Sequence, residues 1–234
     1  MTIEMLYPEV ANLYGDNYNI EVLRQTEPSC QVIRTALPDR PAFADTRPDV
    51  IYMGPMTERA QELVIEALRP YRERIRALID SDCVFLMTGN AMECLGRCIE
   101  NEEGSRIEGL GIFPAVAKRK MFNRYNSLYL GNFGDISIVG YKNQFSHMWC
   151  DNSKGYFTKT IRGAGLNPET ELEGIVDHNF FGTYLLGPLL VHNPLFTQHL
   201  LGLLSISQKP AFFEEAMAAY EQRLRELEDT KTKF

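Results

Sequence analysis

A cysteine or a threonine can attack an amide carbonyl when a base stands close enough to take its proton. In this chain those residue types gather in Cys83-Val84-Phe85-Leu86-Met87-Thr88-Gly89-Asn90-Ala91-Met92-Glu93-Cys94-Leu95-Gly96. Thr88 stands at the end of the apolar run, with no base evident for it in the sequence, so a strand-end role is the simpler reading. Cys94 could pair with His178 or His192, yet its spacing puts it on the core-facing side of the short helix that it occupies. Cys94 and Cys98 lie four positions apart, which on a helix would set both on one face and could supply two metal ligands. Two ligands do not complete a site, and the 4 histidines are not at ligand spacing. The cysteine pair is expected to pack as small hydrophobes, and neither a metal nor another cofactor is implied.

The elements that would hold these residues read as an α/β chain. Thr2–Leu6, Gln31–Leu37 and Asp49–Met53 alternate with a helical stretch at Asn19–Gln25, which is βαβ rhythm. Thr57 is placed to cap a helix whose apolar spacing runs through Leu63, Val64, Ala67 and Leu68 to Pro70, and Tyr71–Ile79 continues it. The run Cys83–Met87 reads as a central parallel strand buried on both faces. It passes straight into a tight turn and a short helix ended by Gly96, the setting in which a nucleophile elbow presents one side chain at the carboxyl edge of a sheet. Lys118–Lys120, Ser127–Leu130, Asp135–Tyr141 and Gly155–Arg162 read as short strands of an antiparallel extension. Gly174–Asp177 and Phe180–Leu186 return to the sheet. A helix begins after Asn193-Pro194, with Asn193 as its cap, and a charged helix over about 210–229 completes a single domain of residues 1–234.

Composition narrows the classes of function. With 234 residues and 44% hydrophobic content, one substantial core is within reach. A net charge of −7 gives no general attraction for nucleic acid or anionic lipid. No stretch suggests a signal peptide or a membrane span, since the most apolar region, Phe180 to Leu204, is broken by Gly182, Gly187, Pro188, His192 and Pro194. The 5 cysteines are odd in number and scattered, which suits reduced thiols and a cytoplasmic location.

Several segments, in this order, carry a resemblance: Asn12-Leu13-Tyr14-Gly15-Asp16 with Asn19 and Leu23-Arg24-Gln25, Met53-Gly54 with Arg59 and Gln61, the elbow, and Gly182-Thr183-Tyr184-Leu185-Leu186-Gly187-Pro188. Together they resemble the class I glutamine amidotransferases of the cobyric-acid-synthase-like branch, and within it the glutaminase subunit of lipid II isoglutaminyl synthase, from Met1 to about Leu204. The resemblance implies a flavodoxin-like fold with a mostly parallel central sheet and an antiparallel extension. It further implies an elbow cysteine that forms a glutamyl thioester, a late histidine as base, and delivery of ammonia to a Mur-ligase-like partner that amidates a cell-wall precursor.

Carried over residue by residue, the resemblance puts Gly89 at the cysteine position and Leu186 at the histidine position, and neither can move a proton. The turn that would help hold the oxyanion is Gly54-Pro55-Met56, and proline has no N–H to donate. Elbow residues commonly hold a strained backbone that glycine adopts without a Cβ clash. Arg124 falls where the resemblance places a guanidinium for the glutamine carboxylate, and Thr88, Asn90 and Gln144, next to Asn143, are candidates to line a ligand pocket. The reading implied is a subunit without glutaminase activity that binds or scaffolds a Mur-ligase-like or cobyric-acid-synthase-like partner, with glutamine as a candidate ligand. Two alternatives stay open: an active amide hydrolase using Cys94 or Thr88, and a standalone regulatory domain that binds a small molecule.

Overall fold

The computed structural model describes residues 1–233. Its first half builds β1 (Thr2–Leu6), α1 (Tyr18–Thr26), β2 (Gln31–Thr35), β3 (Val50–Met53), α2 (Glu58–Leu68), α3 (Arg72–Asp80) and β4 (Val84–Thr88). Thr57 caps α2 as its position predicts, its hydroxyl accepting the Ala60 N–H at 3.3 Å. After β4 the chain winds through a 3₁₀ segment, Gly89–Leu95, ended by Gly96.

The second half contains β5 (Cys98–Glu100), β6 (Arg106–Glu108), β7 (Val116–Arg119), β8 (Tyr125–Phe133), β9 (Ile136–Gln144), β10 (Ser146–Trp149), β11 (Thr158–Arg162), β12 (Leu172–Glu173), β13 (Ile175–Asp177) and β14 (Phe180–Thr183). Helices α4 (Leu189–His192), α5 (Pro194–Leu203) and α6 (Phe213–Glu228) follow.

The central sheet runs β13-β14-β4-β3-β1-β2 and is parallel except at the β13–β14 edge. From β2 to β14 this is the flavodoxin-like strand order, in which ligands meet the sheet at its carboxyl edge. The apolar strands divide their side chains with period two. Ile51, Met53, Phe85 and Met87 join a core with α2 and α3, while Val50, Tyr52, Val84 and Leu86 pack with α1 and α5 on the other face. Pro194 opens α5 as expected, but Asn193 forms no cap bond; its amide exchanges two hydrogen bonds of 2.9 Å with the Val139 backbone in β9.

Two further four-stranded sheets, β10-β7-β5-β6 and β12-β11-β8-β9, form the extension. The second is antiparallel throughout, whereas β5 and β7 of the first run parallel. Helix α6 covers the β8–β9 hairpin through Tyr220 and Leu227 against Leu130 and Val139. Among the described residues no helix is long and apolar enough to cross a membrane.

Candidate functional site

Strand β4 is buried from end to end, and at Gly89 its backbone swings to φ +61°. That left-handed conformation favours glycine. Packing makes the choice stricter still: a Cβ at residue 89 would lie 2.6 Å from the Pro55 Cβ and 3.0 Å from the Leu186 Cδ2. The residues that follow β3, β4 and β14 thus meet at one carbon-lined point of the carboxyl edge. Gly54 is required by close approach as well, because a Cβ there would stand 2.5 Å from the Ala11 carbonyl oxygen.

Beyond Pro55, the first backbone N–H in the turn after β3 belongs to Met56. It donates to Asn90 Oδ1 at 2.9 Å, and Asn90 Nδ2 donates back to the Met56 carbonyl at 2.8 Å. The carboxamide of Asn90 therefore occupies one backbone donor that an anion-holding turn could offer to a carbonyl ligand.

Beside this point lies a cavity of about 310 Å³ whose walls include Gly89, Pro55, Leu186, Glu93 and Gln144. Glu93 is 1% exposed. The Tyr184 hydroxyl donates to its Oε1 at 2.7 Å and Gln61 Nε2 to its Oε2 at 2.9 Å. Burial raises the Glu93 pKa against those two hydrogen bonds, a third from the Ser146 hydroxyl and the charge of Arg119. Arg119 bonds the far end of Gln61, at 3.2 Å. Gln144, also on the lining and 2% exposed, donates Nε2 to the Leu166 carbonyl at 3.0 Å and leaves its buried Oε1 without a partner.

The mouth is crossed by the β1–α1 loop, where Tyr14 holds φ +64° and accepts a hydrogen bond from Asn143. Asp16 anchors that loop. Its Oδ1 accepts the Gly187 N–H at 2.8 Å, and its own carbonyl accepts from Tyr52 Oη at 2.7 Å. Burial lifts the Asp16 pKa to about 6, opposed by the Gly187 N–H and the Thr88 hydroxyl. Behind the cavity Lys142 and Glu173 form a fully buried ion pair at 3.5 Å. Glu173 also accepts from Thr183 Oγ1 at 2.7 Å and from the Tyr184 N–H at 2.8 Å, while burial lowers the Lys142 pKa to about 8 against the pull of Glu173.

Comparison with known proteins assigns this architecture. Residues 2–194 match the CobB/CobQ-like glutamine amidotransferase domain family. The chain belongs to this family. It is similar to the glutamine-hydrolysing lipid II isoglutaminyl synthase subunit GatD of Streptococcus pneumoniae, 26% identical over 204 residues that cover 82% of this chain and 76% of the relative. GatD of Staphylococcus aureus is 27% identical over 204 residues, covering 86% of this chain and 83% of the relative. A solved glutamine amidotransferase superposes with a TM-score of 0.58 at 12% identity, over 87% of this chain and 99% of the other. Another, from Thermotoga maritima, gives 0.53 at 10%, over 95% and 92%. At such identities the solved structures show the shared fold.

In this amidotransferase-like domain the residues singled out from the sequence separate into two groups. Gly89, Pro55, Leu186, Asn90 and Gln144 all line the cavity. Thr88 does not: it is fully buried, with its hydroxyl 3.4 Å from Tyr52 Oη. Cys94 is likewise sealed in the core, and burial pushes its thiol well above the usual range, which disfavours the thiolate that attack requires. Cys94 and Cys98 do not share a helical face, because the 3₁₀ segment ends at Leu95 and Cys98 belongs to β5. Arg124 is exposed and stacks over the Phe145 ring at 5.1 Å, at the rim rather than in the cavity. Among the described residues no group of three or more His, Cys, Asp or Glu could hold a metal ion.

Sequence reasoning passed over Glu93 and Lys142, whereas Asp16, expected with Tyr14 and Gly15 to shape a loop over the carboxyl edge of the sheet, anchors that loop. Glu93 had one signal, a carboxylate inside the otherwise apolar Ala91-Met92-Cys94-Leu95 surroundings. Lys142 had none, since its pairing depends on Glu173 from a distant strand.

Proposed function

We propose that this chain is the amidotransferase-like subunit of an ATP-dependent amide-forming synthetase, that it does not itself hydrolyse glutamine, and that it serves its partner by binding or scaffolding. The observation that supports this reading is the contact among Gly89, Pro55 and Leu186. Thioester chemistry needs a sulfur, a base and an anion cradle at the elbow. Here the elbow residue has no side chain, a leucine packs where the base of a working enzyme would reach it, and the Met56 N–H is held by Asn90. The burial of Thr88 and Cys94 speaks against a relocated nucleophile.

The partner is a Mur-ligase-like enzyme that amidates a cell-wall precursor, by likeness to the two isoglutaminyl synthase subunits. The chain works in the cytoplasm, where its free cysteines remain reduced. The test is ammonia release from glutamine by the purified chain, alone and with the ligase that co-purifies from the native cell. No release by the chain is expected in either state. Turnover that disappears in Cys94→Ala or Thr88→Ala would overturn the silent-site reading, and co-purification without any ligase would remove the proposed partner.

A further inference from the structure

We propose that the cavity beside Gly89 is a binding site for a primary alkylammonium group, held by Glu93 and Gln144 at its polar end and by Pro55 and Leu186 along its carbon chain. This rests on the reading that the cavity binds rather than hydrolyses. The lining contains the carboxylates of Glu58 and Glu93 and no lysine or arginine. A free amino acid would bring an α-carboxylate into that field without a cation to meet it. Arg124, the guanidinium at the rim, stacks on Phe145 outside the cavity.

The hydrogen-bonding inventory points the same way. Several donors on the wall are already engaged: Gln61, Tyr184 and the Ser146 hydroxyl on Glu93, and the Met56 N–H on Asn90. Acceptor capacity remains beside them. Glu93 receives three side-chain bonds, from Tyr184, Gln61 and Ser146, and its two oxygens together offer about four lone-pair sites, so one is left. Gln144 Oε1 has no partner, and its orientation is fixed because the other end of the amide donates to Leu166. Arg119 bonds Gln61 rather than Glu93, so the buried carboxylate has no cation in direct contact. An ammonium supplies that charge and three N–H donors on a carbon stem, and the apolar wall suits the stem.

A free amine and a lysine side chain from a partner share this chemistry. Titration of the intact protein with n-pentylammonium, followed by calorimetry and by ligand-observed NMR, tests the site. The expected result is saturable binding, weaker by about tenfold or more for 1-pentanol and for Glu93→Gln, the size of a lost charge-assisted hydrogen bond. Equal binding of pentanol, unchanged amine affinity in a folded Glu93→Gln, or no saturable amine binding would each overturn the proposal. If Glu93→Gln does not fold, the amine-against-alcohol comparison in the unaltered protein decides. Nα-acetyl-lysine methylamide separates the sources: tighter binding than pentylammonium assigns the site to a partner lysine, and weaker binding to a free amine. Glutamine hydrolysis would defeat the functional reading and leave this titration standing, whereas absent amine binding would leave the ammonia assay untouched.

Discussion

The segment from Thr183 to Leu186 is held by opposite means at its two ends. At Thr183 and Tyr184 it is tied to Glu173, and through Glu173 to Lys142, in a network shut off from solvent. Three residues on, Leu186 meets Gly89 and Pro55 through carbon alone. Full charges therefore sit behind the cavity, where they fix the backbone, while the point of the sheet edge best placed for chemistry is filled with hydrocarbon. An ionisable group in this fold is no guide to where a reaction occurs; what it touches decides its task.

The contrast can be broken most forcefully at the ionic end. Lys142→Met leaves Glu173 buried without its counter-ion and is expected to cost about 3–5 kcal/mol, measured by urea unfolding. The next effect is at the loop anchor. Because the Asp16 pKa is raised to about 6, the folded state holds this proton more tightly than the unfolded chain. The resulting penalty is absent below about pH 4, grows as pH rises, and is complete above the folded value. Asp16→Asn should therefore gain stability relative to the unaltered protein between those limits, by up to about 3 kcal/mol, in paired denaturation curves across pH. A difference independent of pH would show that the carboxyl is not held as described.

At the carbon end, Gly89→Cys is expected to lose about 1–3 kcal/mol without acquiring glutamine hydrolysis, read by thermal unfolding and an ammonia assay. Asn90→Ala removes both bonds to Met56 and should cost about 1–2 kcal/mol. The smallest effect belongs to the rim, where Arg124→Ala should cost about 0.5–1 kcal/mol through its ring contact with Phe145.

How much of this was legible depended on how local the cause was. Strands β1, β3 and β4 follow from short apolar runs, and α2 from Thr57 and its apolar spacing; those signals lie within a few residues. The strand predicted at Ser127–Leu130 extends over Tyr125–Phe133, because pairing with β9 organises residues whose own pattern is weak. Phe180–Leu186 stops as a strand at Thr183, where Glu173 captures the next N–H. Strands β5, β6 and β10 were missed for the same reason: each is three or four residues long and exists by virtue of its neighbours. In the site, Gly89, Pro55, Leu186, Asn90 and Gln144 were legible by their place in a resembling pattern. Glu93 and Lys142 were not, since burial of a charge is a property of the whole fold.

The 2.6 Å approach of Pro55 to the Cβ position at residue 89 also imposes an order on history. A larger residue fits there without strain only after Pro55 and Leu186 have withdrawn, and their withdrawal first opens a void with its own cost. Traffic between this packing and one that carries a reactive group must cross a valley of poorer stability, so the sheet edge behaves as a ratchet that no one-letter reversion releases.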